Sequence, residues 1–224
     1  MQIGLIGVGK LGLPVAIALE QHGHTVHAFD VNPAVAPGVR PESLLLTREA
    51  GPGNAGDLLD TARASTNIHF YRTAAEVCSA AEIVFVAVQT PHDPLYEGST
   101  RIPTTRADFN YDWLCSAVAS VSAAAATLER ALPVVIISTV LPGTVRARVL
   151  PLLHPNVKLC YNPFFIAMGT VFNDFCNPEF VLLGRHDVDA GAKLRAFYGT
   201  IHAAPVFETT IENAELIKVR PGKR

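Results

Sequence analysis

Apolar residues in this chain fall into short unbroken runs, separated by longer stretches in which apolar positions recur at helical spacing. Residues 2–7 (QIGLIG) form the first run and stop at glycine, as a buried parallel strand does. Residues 11–21 carry helix formers, with Leu13, Ile17 and Leu19 among the apolar positions. Residues 24–30 (HTVHAFD) predict a second strand that ends in an acid, and Asn32-Pro33 punctuates the turn after it. Residues 33–56 are rich in proline and glycine and predict an irregular excursion. A weak helix over 57–64 (DLLDTARA) and a short strand near 68–71 follow. After a helix over 73–80 (TAAEVCSA), residues 82–88 (EIVFVAV) give the clearest buried strand of the chain.

The segment 89–110 holds Pro91, Pro94 and Pro103 with several charges. A loop of that length inside a domain is usually functional or mobile. A long helix is expected over 111–131, where helix propensity alone explains the alanine tract 123–126. Residues 133–139 (PVVIIST) predict another strand, and TVRARVLPLL starts the helix after it. Further strands are expected at 157–161, 180–184 and 204–209, with a helix at 188–199 between the last two. ENAELIKV then begins a helix that PGKR interrupts. Strands alternating with helices predict an α/β fold with a doubly wound parallel sheet.

Composition supports a folded chain: hydrophobic residues make up 49% of the 224 and charged residues 17%, enough for a buried core. The length suits one large domain, or one domain and the start of another. A net charge of -2 gives no general reason to expect nucleic acid or an anionic membrane as partner. Cys78, Cys115, Cys160 and Cys176 are widely spaced and form no C-x-x-C pair, so neither a metal site nor a disulfide framework is expected. Free thiols fit a reducing cytosol. No stretch reaches membrane-spanning length without a charge or a helix breaker, and the strand from Gln2 leaves no room for a signal peptide. A soluble cytoplasmic protein is the expectation.

The strongest local chemistry lies in the turn Gly7-Val8-Gly9-Lys10-Leu11-Gly12, between a strand and a helix. In a Rossmann-type domain the first glycine permits the tight turn, and the second lets a pyrophosphate approach the backbone. The third lets helix and strand pack closely. Free amides at the helix start then bind the phosphates. Asp30 ends the second strand at about the spacing expected for an acid that binds the adenosine ribose hydroxyls, which favours NAD over NADP. Thr90 and Thr139 fall at the carboxyl ends of two further strands, where ligands of such sheets sit. A threonine there can bond a cofactor or cap a helix, and spacing alone favours capping.

In sequence order, GVGKLGLPVA, Phe29-Asp30, VAVQTP (86–91), STVLPGT (138–144), YNPFFIAMGT (161–170) and ENAELIKV (212–219) resemble the UDP-glucose/GDP-mannose dehydrogenase family. The resemblance covers nearly the whole chain. It implies an NAD domain over 1–210, a central helix opening at 211–224, and a C-terminal domain closing over a nucleotide sugar, in a protein that can dimerise. It also implies oxidation of a sugar C6 alcohol to the carboxylate in two hydride transfers, through a cysteine-bound thioester. Thr139 matches a threonine beside the nicotinamide and a catalytic water. Lys218 matches a lysine whose ammonium stabilises negative charge on the oxidised oxygen, although a solvated helix lysine is the plain alternative. Asn162, Phe164, Phe165 and Lys218 fall in the segments that line the family's sugar site.

Two departures stand beside the matches. The family usually reads NPEFLREG where this chain reads NPFFIAMG, so Phe164 and Met168 replace carboxylates and cannot accept a proton. The family's nucleophile lies beyond the central helix's start, and none of the four cysteines here sits in a comparable glycine-rich segment. The expectation is a truncated chain that binds NAD without completing the oxidation. A non-catalytic NAD-binding module is the rival reading, and a 3-hydroxyacid or 6-phosphogluconate-type dehydrogenase a weaker third.

Overall fold

The computed structural model describes residues 1–38, 40, 65–96, 104–105 and 107–219. Eight strands form one sheet: β1 (Gln2–Ile6), β2 (Thr25–Phe29), β3 (Ile68–Phe70), β4 (Ile83–Val86), β5 (Leu132–Ile136), β6 (Val157–Tyr161), β7 (Val181–Arg185) and β8 (Val206–Thr209). Their spatial order is β3-β2-β1-β4-β5-β6-β7-β8. The order reverses between β1 and β4, and there doubly wound sheets bind their ligands. Every predicted strand is present. β4 and β5 are buried along their whole length, as their unbroken apolar runs require of strands covered on both faces.

Helices cover both faces. One apolar cluster packs α1 (Gly12–Gln21), the short α4 (Val171–Cys176) and α5 (Val188–Tyr198) on the sheet. The other packs α2 (Ala74–Ala80), α3 (Asp112–Ala126) and α6 (Ile211–Val219). α1 is buried over eight consecutive residues from Gly12 to Leu19, because it lies between the sheet and α4 and has no broad solvent face. α2 begins with a capping box: the Thr73 hydroxyl accepts the Glu76 N–H, and the Glu76 carboxylate accepts the Thr73 N–H.

The sheet is not wholly parallel, which corrects the expectation. β7 runs antiparallel to β6, and β8 is parallel to β7. The connection after β6 holds only α4, a six-residue helix that the strand and helix pattern did not reveal. At about 9 Å it is shorter than a five-residue strand of about 17 Å. The chain re-enters the sheet from the end at which it left. Two predicted helices also differ. α3 ends at Ala126 rather than 131, because Thr127 closes the last turn and Arg130 reaches back to the carbonyls of Cys78 and Ala81 (2.9 and 2.7 Å). The helix predicted from TVRARVLPLL is a π-helical turn (Val145–Val149) and a 3-10 turn (Leu150–Leu152), since Pro151 has no N–H to continue the α-helical ladder. The helix expected over 57–64 lies outside the described residues.

The C-terminal end of α5 meets the turn between α1 and β2 at His24. His24 is buried, its Nε2 lies 2.8 Å from the Thr200 hydroxyl, and its ring tilts against Phe197. His202 stacks on Tyr198. Burial lowers the pKa of both, helped at His24 by the N-terminal ammonium and His22 and opposed by Glu82; His22 also acts on His202. Both rings therefore take up a proton less readily in the fold than in the unfolded chain, whose histidines titrate near the ordinary value of 6.5. The unfolded state binds more protons below that pH, so stability is fully present above 6.5 and falls as pH drops. The melting temperature should decline from pH 7.5 to pH 5.5, and His24→Gln should reduce the slope. A melting curve indifferent to pH over that interval would contradict this reading.

Candidate functional site

β1 ends at Ile6 and the chain turns through Gly7 at φ 100°, a left-handed conformation that side chains rarely adopt. A Cβ there would lie 2.7 Å from the Ala87 carbonyl oxygen of the strand alongside. A Cβ on Gly12 would lie 2.1 Å from the Gly7 carbonyl oxygen, so helix and turn touch backbone to backbone. Gly9 differs: a Cβ on it meets nothing within 4 Å, because it faces open crevice. The helical ladder begins with the Leu13 N–H donating to the Gly9 carbonyl (3.1 Å). The ladder leaves the amides of Lys10, Leu11 and Gly12 unspent at the positive end of a ten-residue helix. Space and donors together fit a diphosphate.

Asp30 flanks this turn from the end of β2. Its carboxylate accepts the Val8 N–H (2.6 Å) on one oxygen and the Asn32 N–H (2.8 Å) on the other. Val8 thus spends its amide on fixing Asp30 and its side chain on the core, and it offers no donor to a phosphate. Each carboxylate oxygen keeps a further acceptor site, which suits the paired hydroxyls of a ribose.

On the opposite side of Gly9 the crevice opens to about 600 Å³ over the ends of β4 and β5. Neither Thr90 nor Thr139 caps a helix there. The Thr90 hydroxyl donates to the Thr139 carbonyl (2.6 Å), Ser138 donates to the Val88 carbonyl (2.6 Å), and Thr139 lines the crevice. The helical turn after them starts only at Val145, behind Thr144. These bonds lock two strand ends together beneath the opening.

The far wall comes from the loop after β6 and from the end of α6. Lys218 donates from Nζ to the Phe164 carbonyl (2.6 Å) and lies 5.0 Å from the centre of the Phe165 ring. Burial holds its amine below the ordinary lysine value. Phe164, Ile166 and Met168 also line the crevice, and among the described residues no carboxylate does.

The sequence pattern of the NAD binding domain of the UDP-glucose/GDP-mannose dehydrogenase family matches residues 1–202. The chain belongs to this family. The chain is 28% identical to GDP-mannose 6-dehydrogenase of Pseudomonas putida over 238 residues, covering 97% of this chain and 48% of that protein. It is 27% identical to UDP-glucose 6-dehydrogenase of Rhizobium meliloti, with the same coverage. Its fold is similar to that of a GDP-mannose dehydrogenase ternary complex from Pseudomonas aeruginosa, at a TM-score of 0.81 and 25% identity over 97% of this chain and 48% of that one. The chain spans about half the length of the curated relatives it matches. NAD is the cofactor of this domain family, and the open face of Gly9 with its unspent amides fits that molecule.

Of the residues singled out in sequence, the structure gathers Gly9, Lys10, Leu11, Thr90, Thr139 and Lys218 around one crevice. Asn162 stands apart from that wall. It is buried, donates to the Leu182 carbonyl (2.9 Å) and accepts from the Tyr198 hydroxyl, so its amide anchors the loop. None of the four cysteines lines the crevice. Burial pushes the thiols of Cys78 and Cys176 up to about 11 and that of Cys160 up to about 12, far from the thiolate a nucleophile needs. Ser138, Tyr111 and Glu215 were not singled out in sequence. Glu215, inside the matched AELIK segment, is fully buried and bonds the loop that follows Thr139.

Proposed function

We propose that this chain is the cofactor-binding part of an enzyme that oxidises the C6 alcohol of a UDP- or GDP-sugar. Residues 1–210 form the NAD domain, and α6 opens a central helix that leads to a substrate domain and a homodimer contact. The observation that carries this reading is one continuous crevice, running from the glycine turn to Thr139 and Lys218. The amides after Gly9 would hold the diphosphate and Asp30 the adenosine ribose, and the crevice over the ends of β4 and β5 would take the other half of the dinucleotide. NAD supplies the hydride acceptor there. Thr90 and Ser138 hold the floor of that half in place, and Thr139 faces it. Lys218, fixed by the Phe164 carbonyl, would present its ammonium to the alcohol oxygen and stabilise the negative charge that this oxygen takes on as its proton is lost. Phe164 and Phe165 form apolar walls for the sugar. The four free cysteines agree with a reducing, cytoplasmic setting.

A second reading, an NAD-binding module without catalysis, is favoured by one observation: Phe164 and Met168 line the crevice where a base would stand. Calorimetric titration of NAD into this chain tests what both readings share. NADH formation from UDP-glucose and GDP-mannose, in a chain extended to the length of its relatives, separates them. An extended chain that binds NAD yet oxidises neither sugar selects the module, and a chain that ignores NAD removes both.

A further inference from the structure

The two loops that flank the crevice are both fastened to one helix. α6 packs closely on β7 at Gly184, where a Cβ would sit 2.8 Å from the Ile211 Cα and 2.9 Å from the Ala214 Cβ. From that seat, Glu215 extends into the turn after Thr139. It is fully buried, and its Oε2 accepts the Gly143 N–H (2.6 Å) while its Oε1 accepts the Val145 N–H (2.8 Å). Three residues later, on the same side of the helix, Lys218 holds the Phe164 carbonyl of the other loop. The Thr139 loop is gripped from its other side by Tyr111, whose hydroxyl accepts from the Leu141 N–H and the Thr144 hydroxyl (both 3.2 Å).

From this arrangement we infer that Glu215 is a positioning residue: it sets the Thr139 loop at a fixed distance from Lys218, and so sets the width of the crevice where the nicotinamide lies. The inference rests on the reading of the crevice given above. A glutamate is required because two amides address two separate oxygens. Glutamine offers one acceptor and turns an N–H toward the second amide.

The experiment compares two ligands on this chain. NAD carries the nicotinamide ring into the half of the crevice that Glu215 sets, whereas ADP-ribose has the same adenosine, diphosphate and second ribose but lacks that ring. Glu215→Gln should raise the Kd for NAD about tenfold, equivalent to about 1.4 kcal/mol, and leave the Kd for ADP-ribose within about twofold. Glu212→Gln, on the same helix with an exposed Arg146 partner, should change neither. Equal weakening of both ligands by Glu215→Gln would reduce its role to general stability and overturn the inference, as would no change in either. Amide exchange in the unmodified chain covers the case of a variant that does not fold. Gly143 and Val145 should be protected, and exchange at the rate of an open loop overturns the proposal. An unmodified chain that binds neither ligand counts instead against the cofactor reading.

Discussion

Alanine at Gly9 does not lower the melting temperature of this domain and weakens NAD binding by roughly a hundredfold, or about 2.7 kcal/mol. Alanine at Gly12, three residues on, destabilises the fold itself. At Gly9 an added methyl meets no atom within 4 Å, so the chain tolerates it. A small gain in stability is even expected, because alanine restricts the unfolded chain. The methyl projects into the space where the diphosphate must approach the amides after it, and binding bears the whole cost. At Gly12 the methyl would overlap the Gly7 carbonyl oxygen at 2.1 Å. Backbone cannot yield there as a side-chain tip would, so turn and helix must separate. Overpacking of this kind costs about 3 kcal/mol or more. Thermal melts and NAD titrations on both variants check the contrast. A Gly9→Ala chain that binds NAD as tightly as the parent would remove the diphosphate from this turn.

Most of the fold was legible because its strands are continuous apolar runs between breakers. β1, β4, β5 and β6 needed only length and flanking residues to be found. Strand direction at β7 was not legible, because it depends on how far α4 carries the chain, and Val171–Cys176 is too short to show a helical period. The end of α3 was hidden for a related reason. Residues 127–131 suit a helix on propensity, yet Arg130 gains more from the open carbonyls at the end of α2, a contact 49 residues away in sequence. Local preference lost to a tertiary partner in both places.

The cofactor half of the site could be read because each glycine answers a steric demand that spacing reveals. The catalytic half could not be read in the same way. Thr90 and Thr139 have ordinary reasons to stand at strand ends, and only the folded chain shows the first bonded to the second's carbonyl. Asn162 looked like a polar group beside a ligand, but its partners, Leu182 and Tyr198, come from β7 and α5. Glu215 sits three residues before a lysine, which invites a helical ion pair. Its true partners, Gly143 and Val145, lie about seventy residues back, and no pattern in the sequence marks them.

Lys218→Met separates the stability of this domain from its chemistry. Burial disfavours the ammonium, and no carboxylate among the described crevice residues offsets that cost. Methionine keeps much of the length and the apolar stem. It loses one charged hydrogen bond to the Phe164 carbonyl, worth about 1.5–3 kcal/mol, and the contact with the half-exposed Phe165 ring, worth about 0.5–1 kcal/mol. It also relieves the desolvation of the charge, so the net change in stability should stay within about 1 kcal/mol. The parent should gain stability as pH rises toward 10.5, because the unfolded chain holds the Lys218 proton more tightly than the folded one, and the variant should lack that gain. NAD affinity should hold within about threefold, since the diphosphate sites are untouched and Glu215 still fixes the Thr139 loop. Turnover of a nucleotide sugar by the extended chain should fall by about a hundred- to a thousandfold, the usual cost of removing one group that stabilises transition-state charge. If turnover survives the change while the fold is intact, the charge on the alcohol oxygen is met elsewhere, and Lys218 serves only to fasten the loop at Phe164.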